Sequence, residues 1–322
     1  MPLKIRLYIL YRRIDRAIRP ALDWLVATLA VGAFRLVRAL PIDRASNIGG
    51  AIARTFGPLL PVNRLGMDNL RHAYPDKSKA ELKAILREVW DNLGRIAAEY
   101  PHLDQIWDWD EADPGGGRVE ATGMEYFTAL RDDGKPAIVF TAHMANWELP
   151  AVCAARHDLP TTAVYRTPNN AYVARRLLKI RSGTMGELLA AGSGQAVAFA
   201  MASVLEKGGH LGLLVDQRLT RGLKIDFFGR PASTNPILGR LARRFDCPVH
   251  GVRVVRLPGN RFRLDLTPPV ELPRDEEGLI DPEGAMRVVN AIPYVVDAAP
   301  GIATSLDLPI TAPRGALDSL TR

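Results

Sequence analysis

Cysteine is scarce: Cys153 and Cys247 are the two in 322 residues. They form no paired spacing of the zinc or redox kind. Reduced thiols in a cytosolic compartment are the simpler reading, although sequence leaves a bridge between them open. There is no Gly-x-Ser-x-Gly elbow, no Walker loop and no Gly-x-Gly-x-x-Gly fingerprint, which removes the usual serine-hydrolase, nucleotide and dinucleotide readings. The zincin pattern His-Glu-x-x-His is missing too, so neither a metal nor a cofactor is called for. Long apolar runs are also lacking. The uninterrupted one near the N-terminus, Trp24–Phe34, is short of the ~20 residues that cross a bilayer. After Tyr294 no aromatic occurs, and prolines stand at 300, 309 and 313. A flexible tail is therefore expected over residues 298–322.

Charge is present and unevenly spread. The chain is 47% hydrophobic and 24% charged, ordinary for a folded protein, and its formal net charge is +7. Residues 1–44 carry almost all of that excess, with Lys4, Arg6, Arg12, Arg13, Arg16, Arg19, Arg35, Arg38 and Arg44 against Asp15, Asp23 and Asp43. A basic arm can bind nucleic acid, but this one leads directly into Trp24–Phe34. Positive charge beside an apolar stretch suits an anionic cytoplasmic leaflet better, and no nucleic-acid partner is expected. A signal peptide has a similar pattern, yet a long segment precedes the run and no clear small-residue cleavage site follows. The expectation is an uncleaved helix lying in the membrane interface, with a core-facing helix as the alternative.

Periodicity divides the rest. Residues 1–44 read as basic and apolar membrane-associating helices, 45–114 as a helical region and 115–297 as an α/β domain. Within the second part, Asp76-Lys77-Ser78 precedes Lys79–Tyr100, where Leu82, Ile85, Leu86, Val89, Leu93 and Ile96 recur at helical spacing between Pro75 and Pro101. In the third part, strand-like Ala137–Thr141, Thr161–Tyr165 and Leu211–Val215 alternate with helical stretches around Glu148–Arg156, Ala171–Ile180 and Gln195–Glu206. Val249–Val255 and Arg261–Leu266 read as a hairpin about Pro258-Gly259-Asn260. The predicted fold is α/β, a mixed sheet flanked by helices, preceded by an N-terminal helical membrane-associating region.

The chemistry-bearing segment is Thr141-Ala-His-Met-Ala-Asn-Trp-Glu148. Strand Ala137–Thr141 runs straight into His143, and ligands of open α/β sheets bind beyond the carboxyl ends of the strands. Glu148 falls in the first turn of the next helix, five residues on across a bend, where it can face His143. Histidine is then a general base, and a carboxylate on its other ring nitrogen fixes its tautomer. A lone His-x-x-x-x-Glu is weak, because such pairs are common by chance. Cys153 reads as a buried helix residue rather than a nucleophile. Arg175, Arg176, Lys179 and Arg181 form either a solvated helix face or a docking patch.

The same segment resembles the His-x-x-x-x-acid block of membrane glycolipid acyltransferases, and most of all the late (lauroyl/myristoyl) acyltransferase family of bacterial lipid A synthesis. Further stretches are similar to that family in order and spacing. They are Met67-Asp-Asn-Leu70 with His72-Ala-Tyr-Pro75, Val164-Tyr-Arg166 with Pro168-Asn-Asn170, Arg181 and Gly183, Val215-Asp-Gln217, and Asp226-Phe-Phe-Gly229 with Ala232-Ser-Thr234. The likeness covers about residues 60–256. It fails at the end, where the family's tryptophan-rich stretch with His-Arg-Arg has no counterpart after Asn290.

The resemblance implies a glycerolipid-acyltransferase-like fold and an O-acyltransferase in which His143 deprotonates the acceptor hydroxyl and Glu148 orients His143. It implies an acyl carrier protein as donor, an anionic, phosphorylated lipid A precursor as acceptor, and the cytoplasmic face of a bacterial inner membrane as location. Arg166 would bind a phosphate or the developing negative charge. Asn146 would hydrogen-bond the reacting groups. Arg181, Asp216 and Gln217 would help to bind the substrates, and Phe227 and Phe228 belong to the core or an acyl-groove wall. Two alternatives stay open: an acyltransferase for another phospholipid or glycolipid, using acyl-CoA, and a catalytically inactive membrane-binding homologue.

Overall fold

The computed structural model describes residues 3–168, 170–191, 195–228 and 230–290. The tail expected over 298–322 lies outside them. Helices come first, as expected: α1 (Leu3–Arg38), α2 (Ile42–Phe56), α3 (Val62–Ala73), α4 (Lys79–Glu99) and the short α5 (Leu103–Ile106). The start of α4 is fixed by a reciprocal cap: the Glu81 amide donates to Ser78 Oγ while the Ser78 amide donates to the Glu81 carboxylate. Helices α2 and α4 cross at Gly49 and Gly94. A Cβ built on either glycine would lie 2.1–2.4 Å from the other's carbonyl oxygen, so only glycine permits this approach.

In α1 the apolar segment is longer than the eleven-residue run suggests. Ile18–Arg38, 21 residues, is long and apolar enough to cross a membrane by length and composition. At 1.5 Å per residue it spans about 31 Å, close to the hydrocarbon thickness. Length therefore does not argue against crossing. Leu22, Trp24, Leu25, Val26, Leu29 and Leu36 are all exposed along it. Its C-terminal end is pinned: Arg38 donates to both oxygens of Asp104, at 2.6 and 2.8 Å, and to the carbonyl of Pro101.

The α/β part then alternates β1 (Val119–Thr122), α6 (Met124–Asp132), β2 (Ala137–Thr141), α7 (Leu149–Arg156), β3 (Thr161–Arg166), α8 (Ala171–Ser182), β4 (Glu187–Ala191), α9 (Gln195–Glu206) and β5 (His210–Leu214). A hairpin of β6 (Arg218–Phe227) and β7 (Arg230–Thr234) stands apart. It is followed by α10 (Ile237–Phe245), β8 (Val249–Leu257), β9 (Arg261–Pro269) and α11 (Pro282–Asn290). Seven strands form one sheet in the order β1-β9-β8-β2-β5-β3-β4. Only β8–β9 pairs antiparallel among them, which makes the sheet mixed. The β8–β9 turn has positive φ at Gly259 (75°) and Asn260 (55°), the left-handed pair that a tight hairpin needs.

Alternation along β2 divides the core. Ala137 and Val139 face a cluster with Phe127 and Leu130 of α6 and Leu149, Val152 and Cys153 of α7. Ile138 and Phe140 face the opposite cluster with Met201 and Leu205 of α9 and Leu238, Leu241 and Ala242 of α10. Each fully buried side chain of this size contributes about 1.5–3 kcal/mol. Both cysteines are free and buried, and Cys153 lies in a helix as expected.

Candidate active site

The register of the two central strands brings the site together. Thr141 of β2 pairs with Leu214 of β5, so two residues further on His143 stands opposite Asp216. The Asp216 carboxylate accepts from the His143 main-chain N–H at 2.9 Å and from ring Nδ1 at 2.7 Å. A deprotonated carboxylate can only accept, so Nδ1 carries the hydrogen, which in the neutral ring leaves the lone pair on Nε2. Burial alone would raise the Asp216 carboxyl. The hydrogen bonds from the ring and main chain of His143 outweigh it and hold the group below the ordinary carboxylate range. On the other side, the Gln217 amide nitrogen lies 3.3 Å from Nε2 and donates to it. Trp147 meets the imidazole edge-on at 4.8 Å, so the ring is held on three sides.

Glu148 is placed differently from the sequence expectation. It caps α7 rather than entering its first turn, and its carboxylate accepts from Arg181 at 2.5 Å. Among the described residues no hydrogen bond joins Glu148 to His143. Asp216, assigned by sequence to the acceptor, occupies the place on the histidine that sequence assigned to Glu148. The guanidinium of Arg181 lies 5.8 Å from the Tyr100 ring and 5.6 Å from the Tyr165 ring. Burial, then the Glu148 charge, pushes the Tyr100 phenol up, so Tyr100 stays protonated beside this pair.

Asn146 also departs from expectation. It is fully buried, its amide donates to Glu99 at 2.9 Å, and its Oδ1 accepts the Glu148 main-chain N–H. It therefore braces the loop instead of facing a substrate. Glu99, 1% exposed, is the anchor beneath. It accepts from Ser46 of α2 at 2.7 Å and from both terminal nitrogens of Arg256 of β8, at 2.5 and 3.0 Å. Asn92 of α4 donates to the carbonyl of Ala145, whose φ of +43° marks the strained turn of the same loop. Sequence reading missed Glu99 and Arg256. Their one available signal was an acid on an apolar helix face and an arginine within a buried strand.

His143, Glu148, Arg166, Arg181 and Gln217 line one cavity of about 900 Å³. Most of its remaining wall is apolar, with Phe127, Val139, Leu188 and Leu264 on the α6/α7 side and Phe140, Val164, Met201 and Leu213 on the α9/α10 side. Such a volume is typical of sites that enclose small organic ligands. Cys153 also borders it, but burial pushes its thiol up to about 12, which keeps it un-ionised and a poor nucleophile. Phe227 and Phe228 do not line it. They pack on each other at 4.8 Å, and Phe228 meets Tyr74 at 5.9 Å. The arrangement supplies an oriented imidazole whose Nε2 faces the cavity beside the Gln217 amide, an arginine at a strand end, and an apolar chamber behind both.

Comparisons with known proteins give a family and a relative. The model of the family described as bacterial lipid A biosynthesis acyltransferase matches residues 14–300. A phosphatidylinositol mannoside acyltransferase of Mycolicibacterium smegmatis is 26% identical over 211 residues. That match covers 61% of this chain and 64% of the relative, so the chain spans under two thirds of that protein's length.

Proposed function

Because the chain belongs to the bacterial lipid A biosynthesis acyltransferase family, we propose that it moves a fatty acyl group from a thioester, carried by acyl carrier protein, to a hydroxyl of a phosphorylated lipid A precursor at the cytoplasmic face of the inner membrane. The observation that carries this reading is the contact between Asp216 and His143 at the mouth of a largely apolar cavity.

His143 Nε2 takes the proton of the acceptor hydroxyl as its oxygen attacks the thioester carbonyl. Asp216 stabilises the imidazolium that forms. The tetrahedral oxyanion collapses, the carbon–sulfur bond breaks, and the thiolate leaves with the proton returned by His143. Transfer is direct, and no enzyme nucleophile enters it. Arg166 contacts the acceptor phosphate or the oxyanion, and the Gln217 amide stands within reach of the same atoms. Glu148 and Arg181 act as a pair that holds α8 against the catalytic loop. The acyl chain occupies the apolar chamber, where each buried methylene contributes about 0.8 kcal/mol. The basic and apolar α1 holds the protein on the membrane where the acceptor lipid lies.

A second reading differs only in substrates: a mannosylated or other phospholipid acceptor, with acyl-CoA as donor. The name of the relative from Mycolicibacterium smegmatis favours the mannosylated acceptor. Mass spectrometry of lipids from a deletion strain separates the two. Loss of one acyl chain from lipid A supports the first reading, loss from another glycolipid supports the second, and an unchanged lipidome contradicts both.

A further inference from the structure

Arginines elsewhere in this chain meet carboxylates: Arg38 with Asp104, Arg118 with Asp43, Arg253 with Asp265, Arg256 with Glu99. Three do not. Arg166, Arg218 and Arg240 have no ion-pair or hydrogen-bond partner among the described residues, and all three line the cavity that holds His143. Among the described lining residues Glu148 is the sole acid, and Arg181 already neutralises it.

Topology brings the three to one side. Arg218 opens β6 two residues beyond Asp216, and its pairing sets it opposite Thr234 at the end of β7. Three residues after Thr234 the chain enters α10, whose first turn carries Arg240. Arg166 ends β3 two residues after Val164, which packs into the α9/α10 cluster, so strand alternation turns Arg166 to that same side. The ion pair of Glu148 and Arg181 closes the other part of the rim, beside Tyr100 and Tyr165. Among the described residues the cavity rim is thus neutral on one flank and carries three guanidiniums without a carboxylate partner on the other. Like charges converging on a low-dielectric concavity raise its affinity for an anion, and arginine forks match phosphate oxygens.

We propose that Arg218 and Arg240, together with Arg166, form a subsite for a phosphate ester on the α9/α10 flank of the cavity. The inference rests on the acyl-transfer reading, because a phosphate there would leave the rest of its molecule beside His143. Phosphate esters occur both on a phosphorylated lipid acceptor and on the phosphopantetheine arm of a thioester donor. The site recognises the group they share.

The test is calorimetric titration of the purified full-length protein in detergent with two soluble probes, 4′-phosphopantetheine and dihexanoyl phosphatidic acid, each beside its dephosphorylated counterpart. At least one phosphorylated probe should bind tightly. Arg218→Gln and Arg240→Gln should each weaken it about tenfold, as expected when a charge-assisted hydrogen bond is lost. The double variant should approach the affinity of the dephosphorylated probe. Loss confined to phosphopantetheine assigns the subsite to the donor, and loss confined to phosphatidic acid assigns it to the acceptor. Unchanged affinity for both probes in the double variant, or no preference of the wild-type protein for phosphate, would overturn the proposal. Binding is read without turnover. A protein that bound phosphate through these arginines yet transferred no acyl group would therefore refute the acyl-transfer reading and leave the subsite standing.

Discussion

Asp216 holds His143 twice, through the ring at 2.7 Å and through the main chain at 2.9 Å. One side chain therefore sets both the tautomer of the imidazole and the position of its backbone at the strand end. Asparagine at 216 could still accept the main-chain N–H, but its amide nitrogen facing Nδ1 would favour the opposite tautomer. Asp216→Asn should fold and lose transfer by about 10²–10⁴-fold. Near-wild-type rates in the folded variant would show that the carboxylate on His143 is not Asp216 during turnover.

Glu148 and Arg181 should behave as a unit. Their side chains are 9% and 18% exposed, so removing either leaves a buried charge alone. Glu148→Gln or Arg181→Met should each cost about 3 kcal/mol, and the double variant less than the sum. Urea unfolding of the four proteins measures this, and additive losses would dissolve the pair.

Glu99 should matter for both stability and rate, although it lines no part of the cavity. Glu99→Ala strands Arg256 in the core and releases Asn146. A loss of about 3–5 kcal/mol is expected, with a fall in transfer rate that Glu99→Gln partly restores. Thermal melts with parallel assays decide, and an unperturbed rate in a destabilised Glu99→Ala protein would restrict Glu99 to the fold.

Removal of residues 1–34 keeps the Arg38–Asp104 pair and should shift the protein from the membrane fraction toward the soluble one. Ile52, Phe56, Leu59, Leu60, Val62 and Leu65 of the α2–α3 region are also exposed. If the truncated protein sediments with membranes as before, that second apolar face is the anchor.

Acid should unfold the protein late. For Asp216 and Asp265 burial acts to raise the carboxyl, and hydrogen bonds outweigh it, from His143 in one case and from Arg253 and Thr122 in the other. A carboxyl whose folded pKa is depressed stabilises fully above its unfolded value, and that contribution is lost as pH falls through the folded value. Melting temperature should therefore hold down to about pH 4 and decline below it. Asp216→Asn should flatten part of that decline.

Elements with strong local signals were legible in the sequence. β2 and α9 have the boundaries their apolar runs predict, and α4 ends one residue before the predicted Tyr100. β1, β4 and the β6–β7 hairpin were not recognised, because Glu187–Ala191 and Arg218–Phe227 mix charged or small residues with apolar ones and lack a clean period of two. His143 was placed correctly at a strand end, since a run of apolar residues leads straight into it. Its carboxylate partner was not. Sequence proximity favoured Glu148, five residues away, whereas the partner comes from residue 216 through a parallel strand register that no local pattern encodes. The same limit hid Glu99 and Arg256, which meet across 157 residues of chain.

The most direct measurement is the rate of acyl transfer from a thioester donor to lipid by the purified, folded His143→Ala protein, set against wild type and against the uncatalysed background. With His143 as the base, the rate should fall by at least ~10² and the melting curve should stay close to that of wild type. Wild-type rates from that folded variant would contradict the mechanism at its first step.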